Sequence, residues 1–257
     1  MCLAQNNQNA ITTHISKDVP DGAVNGLFSV SETKIVYFSK GNLQYKSSTD
    51  TWRFAQHQWD VVGESNKNIS KEYNGWIDLF GWGTGQDPTM SSSYFGDYGT
   101  FNDWGNYVLS TGAEKWRTLT KDEWIYILST RKTKSGIRYA MATVNGVKGL
   151  VVLPDSWESS FYKLRKPNGG RYNSNNISIK DWMSSFEKNG AVFLPVGGGR
   201  GEKKVGSIDS WGGYWSSTPY EDDGAYYMNI TDNLVTPARG YLRYGGICVR
   251  LVCDVQQ

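Results

Sequence analysis

Few side chains in this 257-residue chain could carry chemistry, for it has only three cysteines and two histidines. Cys248 and Cys253 stand five positions apart on a run that reads as extended strand, which separates their α-carbons by roughly 17 Å. A disulfide spans about 4.4 to 6.8 Å between α-carbons. The pair therefore reads as ordinary packed thiols, and no metal–thiolate spacing is present. His14 lies in a polar N-terminal stretch, and His57 sits between Gln56 and Gln58, beside Trp59. A hydrolase triad would have to use His57, yet no serine lies in a G-x-S-x-G elbow. Gly197-Gly198-Gly199-Arg200-Gly201 invites a phosphate-loop reading, but it lacks the G-x-x-x-x-G-K-[ST] spacing and no helical pattern follows it. It reads as a structural turn. Arg250, between Val249 and Leu251, reads either as a buried arginine paired with a carboxylate or as a solvated one. No catalytic residue, metal or cofactor is expected, which leaves recognition as the chemistry to look for.

Recognition chemistry is concentrated near the C-terminus, from Trp211 onward. A glycine and aromatic cluster (Trp211, Gly212, Gly213, Tyr214, Trp215) precedes a strand pattern in which Tyr226, Met228 and Ile230 alternate with Tyr227, Asn229 and Thr231. The run closes on Ile247, Val249 and Leu251. Between those strands, residues 232–245 are rich in Asp, Asn, Pro, Gly, Arg and Tyr, side chains that no core needs. Tyr and Arg give large contact area and hydrogen bonding at modest entropic cost. Tyr220, Tyr227, Arg239, Tyr241 and Tyr244 are the expected anchors. Alternation predicts that Tyr226, Met228 and Ile230 turn inward and Tyr227 outward, with the five anchors on one exposed face.

The elements that must position this surface read as β with two helices. Short strands are predicted around 27–31, 34–39 and 52–55, with Ser39-Lys40-Gly41-Asn42 as a turn. A long irregular stretch over 65–105 is expected to be pinned by Trp76, Phe80, Trp82, Tyr94, Phe95 and Trp104. Thr120 and Glu123 form a capping-box pattern before Trp124, Ile127 and Leu128. A second helix is predicted over 179–188, capped by Ser178, presenting Trp182, Met183 and Phe186 on one face and ending at Gly190. Asn145-Gly146 marks a hairpin between 138–144 and 146–153. Residues 1–26 read as a flexible arm without a signal-peptide pattern, and 27–257 as one domain. Cys2 stays open as a lipid-modified position, with no lipobox to support it.

Composition narrows the class. Eleven Trp, sixteen Tyr and twenty-nine Gly point to a loop-rich, aromatic-packed α+β fold rather than a helical bundle. Twenty-seven basic against twenty-five acidic residues leave +2, too balanced for a general nucleic-acid binder, and no apolar run is long enough to span a bilayer.

The order GGYWSST, AYYMNI, a polar stretch and GGICVRLV resembles the C-terminal end of C-type-lectin-fold proteins. The branch is the one shared by formylglycine-generating enzymes and the variable proteins of diversity-generating retroelements. VYFSKGNLQY, WRFA, IDLFGWGTG, WRTLTKDEW and GAVFLPVGGGR resemble the same group, so the likeness covers about 27–252. It implies a C-type lectin fold with short, mostly antiparallel strands, two helices and long ordered loops. In the enzymes of that branch the reactive cysteines lie in the polar stretch before the closing strand. Residues 236–245 here contain none, so an enzyme is not expected. Calcium-dependent sugar binders of the fold carry Glu-Pro-Asn or Gln-Pro-Asp and Trp-Asn-Asp. This chain has Gln86-Asp87-Pro88 in changed order and no Trp-Asn-Asp, and Asp222, Asp223 and Asp232 read as an acidic loop rather than a calcium site.

The resemblance implies instead a variable region at about 214–252, rewritten by adenine-directed mutagenesis. Tyr220, Asp222, Asp223, Gly224, Tyr227, Thr231, Asp232, Val235, Ala238, Arg239, Gly240, Tyr241, Leu242 and Tyr244 are all reachable from a mutated Asn codon, whereas Glu221 is not. The ligand-binding set is therefore Tyr220, Asp222, Asp223, Tyr227, Asn229, Thr231, Asp232, Ala238, Arg239, Tyr241 and Tyr244. The partner implied is macromolecular, a protein in preference to a glycan, met outside the cell, at a cell surface or on a phage particle. Oligomeric state stays open. The remaining alternatives are an enzyme of the formylglycine-generating type and a structural cell-surface subunit.

Overall fold

The structure, a computed structural model, describes residues 19–108 and 115–255. Most of the expected N-terminal arm, with Cys2 and His14, lies outside the described residues. Its last part does not hang loose: Val24 is buried and donates its N–H to the Phe38 carbonyl.

The strands in chain order are Phe28–Ser29 (β1), Ile35–Phe38 (β2), Leu43–Lys46 (β3), Thr51–Phe54 (β4), Trp76–Ile77 (β5) and Trp116–Thr118 (β6). Tyr139–Val144 (β7), Val147–Val152 (β8), Asn176–Ile177 (β9), Val192–Pro195 (β10), Gly199–Gly201 (β11) and Lys204–Gly206 (β12) follow. The last are Gly212–Tyr220 (β13), Gly224–Ile230 (β14), Val235–Leu242 (β15) and Leu251–Asp254 (β16). They form small sheets ordered β1-β2-β16-β6, β10-β8-β7-β9, β11-β12, β13-β14-β15 and β4-β3-β5. All pairings are antiparallel except β7 with β9. The chain is thus α+β, built of small, mostly antiparallel sheets with few short helices.

Local signals formed what they predict. Thr120 Oγ1 accepts from the Glu123 N–H (3.2 Å) and Glu123 Oε2 accepts from the Thr120 N–H (2.8 Å). That box opens Lys121–Ile125 (α1), which widens into a π turn through Thr130. Ser178 caps Ile179–Asp181 (α2), which continues through π and 3-10 turns to Gly190 at φ +79°. Trp182 and Phe186 are buried there, but Met183 is 51% exposed, because the widened turn rotates it away from the core. Asn145 and Gly146 both take positive φ and close the β7–β8 hairpin. In the long loop Phe80, Trp82 and Trp104 do the pinning and Trp76 is half-buried, whereas Tyr94 and Phe95 are exposed, contrary to expectation.

The closing strand differs from its predicted bounds. Gly246, Ile247 and Cys248 make single bridges to three separate places, Arg200, Phe80 and Tyr214, before β16 begins at Leu251. Alternation persists all the same. Ile247, Val249, Leu251 and Cys253 enter one core cluster with Trp215 and Tyr227, while Cys248 and Val252 enter another with Tyr214 and Met228. Arg250 falls between them, fully buried. Its guanidinium donates to Gln58 Oε1 (2.9 Å) and Asn42 Oδ1 (3.4 Å), not to a carboxylate, and burial lowers it to about 10.

Candidate functional site

The sheet β13-β14-β15 carries the expected recognition residues, and its register decides which of them meet. Tyr227 lies opposite Trp215 on one side and Arg239 on the other, and Tyr241 stands two residues beyond Arg239. Side chains two apart share a face, so Tyr227, Arg239 and Tyr241 come together. Trp211, just before β13, completes the cluster. Its ring lies 6.0 Å from Tyr227 and 5.8 Å from Tyr241, and the two tyrosine rings are 5.4 Å apart. Gly213 makes this packing possible, since a Cβ there would stand 2.9 Å from the Tyr227 ring.

Asn229 fixes two of these rings. Its Oδ1 accepts from Trp211 Nε1 (2.7 Å) and from the Tyr227 hydroxyl (3.1 Å). Two donors on one atom determine which end of the amide is oxygen. Asn229 is fully buried and holds the Trp211 and Tyr227 rings in place. Tyr227 does not turn outward as alternation predicts. It is 3% exposed, because β14 is covered on both faces rather than one. Burial pushes the Tyr227 and Tyr241 phenols up, opposed at Tyr227 by the adjacent Arg239 and reinforced at Tyr241 by Tyr244.

Opposite this aromatic floor stands the β11–β12 hairpin. Together they enclose an open cavity of about 520 Å³, lined by Arg200, Lys204, Val205, Ser207, Trp211, Tyr227, Arg239 and Tyr241 and by hairpin glycines. Arg200 is buried and is held by carbonyls alone, with Nε and Nη2 on Leu79 O and Nη1 on Glu202 O. Burial lowers it to about 10, still charged at neutral pH. Arg239 and Lys204 are exposed and enter no ion pair among the described residues. The glycine run thus forms one wall of the cavity. Sequence reading missed Arg200 and Lys204 as site residues, since the hairpin lies outside the variable-type run, and named Trp211 only within the aromatic cluster that precedes it.

The rest of the expected set is dispersed. Tyr220 packs on Tyr226 (4.9 Å), and a Cβ on Gly240 would meet its ring, so it sits on the sheet face opposite Tyr227. Ala238 alternates with Arg239 and shares that opposite face. There α1 is docked, with Lys121 Nζ 5.0 Å from the Tyr226 ring and Trp124 Nε1 donating to the Trp215 carbonyl (3.3 Å). Asp222 and Asp223 lie in the β13–β14 turn, which the Arg243 guanidinium clamps through the Gly224 and Glu221 carbonyls while lying over Trp82. Thr231 and Asp232 lie at the other end of the sheet, where Asp232 pairs with Arg171 at 3.0 Å. Tyr244 is half-buried in the turn after β15. The five anchors therefore do not share one face; of them Tyr227 is buried, Arg239 exposed and the others half-buried.

The remaining chemical candidates are placed as follows. His57 is exposed, stacks on Trp59 (5.0 Å) and meets Asp60 at 3.2 Å. Cys248 and Cys253 are buried and not joined to each other, and burial holds the Cys248 thiol well above its ordinary range. Cys248 is expected to resist an aromatic disulfide reagent in the native protein and to react fully in guanidinium chloride, as read by absorbance. With Cys2 and Cys253 replaced by serine, rapid native labelling would mean that the 246–250 segment opens. Among the described residues no cluster of His, Cys, Asp or Glu could hold a metal ion, and no helix is long and apolar enough to cross a membrane. Compared with protein-family models, curated proteins and solved structures, the chain matches none.

Proposed function

We propose that this chain is a non-enzymatic binding protein that displays a diversifiable C-terminal surface on a C-type lectin scaffold, as the variable proteins of diversity-generating retroelements do. Its setting would be a cell surface or a phage particle. The observation that carries this reading is the open cavity in which Trp211, Tyr227 and Tyr241 converge with Arg239 on a rigid three-stranded sheet. Aromatic and arginine side chains on such a support are the usual anchors of protein recognition. Two short helices among small sheets and long ordered loops support the scaffold assignment. The thiol of Cys248, buried and held protonated, weighs against a formylglycine-generating activity.

A display surface must tolerate change. The combined variant Asp222→Ser, Thr231→Ala, Asp232→Asn, Arg239→Ser is expected to keep the fold, each change costing within about 0.5 kcal/mol. Thermal melts check this, and a cooperative loss several times larger would remove the separation of display from scaffold. The gene's surroundings test the diversification itself. A near-copy of the codons for 214–252, differing at adenines, should lie beside a reverse-transcriptase gene.

A further inference from the structure

The charge of the cavity says what chemistry it suits. Arg200, Lys204 and Arg239 are the charged side chains that line it, and no lining residue is acidic. Glu202, at the hairpin tip, gives its carbonyl to Arg200 but does not line the cavity. Arg200 contributes an uncancelled positive charge from beneath, where the surrounding protein screens it less than water would. The shape favours one kind of anion. Trp211, Tyr227 and Tyr241 meet at 52° to 64°, so they form a cup of edges and tilted faces. Such a cup has no parallel faces between which a base or sugar ring could stack. Beside it, β15 is the outer strand of its sheet, and among the described residues no strand pairs with its free edge. An extended peptide laid along such an edge gains backbone hydrogen bonds and places alternate side chains on one face.

Resting on the binding reading above, we propose that the cavity receives an acidic, extended segment of a protein partner. Its carboxylates sit at Arg239 and Lys204, and a neighbouring side chain fills the cup of Trp211, Tyr227 and Tyr241. Selection of short random peptides on the full chain, followed by fluorescence anisotropy with synthetic copies of the enriched sequences, tests this. Enriched peptides should carry Asp or Glu at alternate positions. The double variant Arg239→Glu, Lys204→Glu, altered only at exposed positions, should weaken them about tenfold or more. Exchanging glutamate for lysine in the peptide should restore binding to the double variant and not to the parent. Enriched peptides without acidic bias, or binding of dextran sulfate or an oligonucleotide where acidic peptides fail, overturns the proposal. If neutral peptides are enriched and are lost on Tyr241→Ala, the acidic partner falls while the display reading stands. If no selected peptide depends on Tyr241, both fall.

Discussion

Trp215→Ala is expected to destabilise the protein by about 3 to 5 kcal/mol, the range for removing a large aromatic side chain from a close-packed core. Trp215 is 1% exposed, and its ring packs beneath Tyr227 and Tyr241, at 6.4 and 6.0 Å. Its Nε1 also donates to the Phe80 carbonyl at 2.7 Å, a bond the substitution removes although that carbonyl keeps the Ile247 N–H. The floor of the cavity would lose its support together with the core. Urea unfolding of Trp215→Ala beside Arg239→Ala checks it. The exposed arginine should cost within about 0.5 kcal/mol. Similar losses in the two variants would show that the C-terminal sheet is not divided into packed and displayed faces.

Stability should also depend on pH in the direction opposite to that of most carboxylates. Asp78 is buried, and its oxygens accept from the Val62 N–H and from Asn66 Nδ2, both at 2.8 Å. Desolvation outweighs these hydrogen bonds and lifts the carboxyl from 3.8 to about 6. The folded chain therefore holds the proton more tightly than the unfolded chain between those values. The contribution of this group is fully present below pH 3.8 and is lost as pH rises through about 6. Two pKa units correspond to roughly 3 kcal/mol. Other acids titrate over the same window, so the measurement is a difference. The unfolding free energy of the parent minus that of Asp78→Asn, followed from pH 4 to 7.5, should fall by about that amount. A flat difference would place Asp78 in contact with solvent.

What could be read from the sequence was what neighbouring residues settle among themselves. Thr120 with Glu123, Ser178, Asn145-Gly146 and Gly190 each act over a few positions, and each formed as expected. Alternation in β14 failed for the opposite reason. It correctly separated Met228 and Ile230 from Tyr227 and Asn229, but a period of two cannot show that both faces are covered. Trp211 and Trp215 cover the Tyr227 side, and Ile247 comes close to it, none of them detectable from β14 itself. The cavity was illegible on the same ground. Arg200 and Lys204 line one cavity with Arg239 across more than thirty positions, through a hairpin whose sequence shows glycines, charges and a single valine.

The place of β16 has a consequence for how the chain is made. It fills the interior of the β1-β2-β16-β6 sheet, between strands drawn from the first half of the sequence. Until Leu251 to Asp254 have been synthesised, β2 and β6 face an empty position and each presents an unpaired edge. Closing that gap joins residues more than two hundred positions apart, a loop of high entropic cost and a hallmark of slow folding. This sheet is therefore completed only once Leu251 to Asp254 have left the ribosome. In the interval its exposed edges invite pairing with other nascent chains, so yield in the cell should depend on chaperone capacity and growth temperature more than native stability alone would suggest.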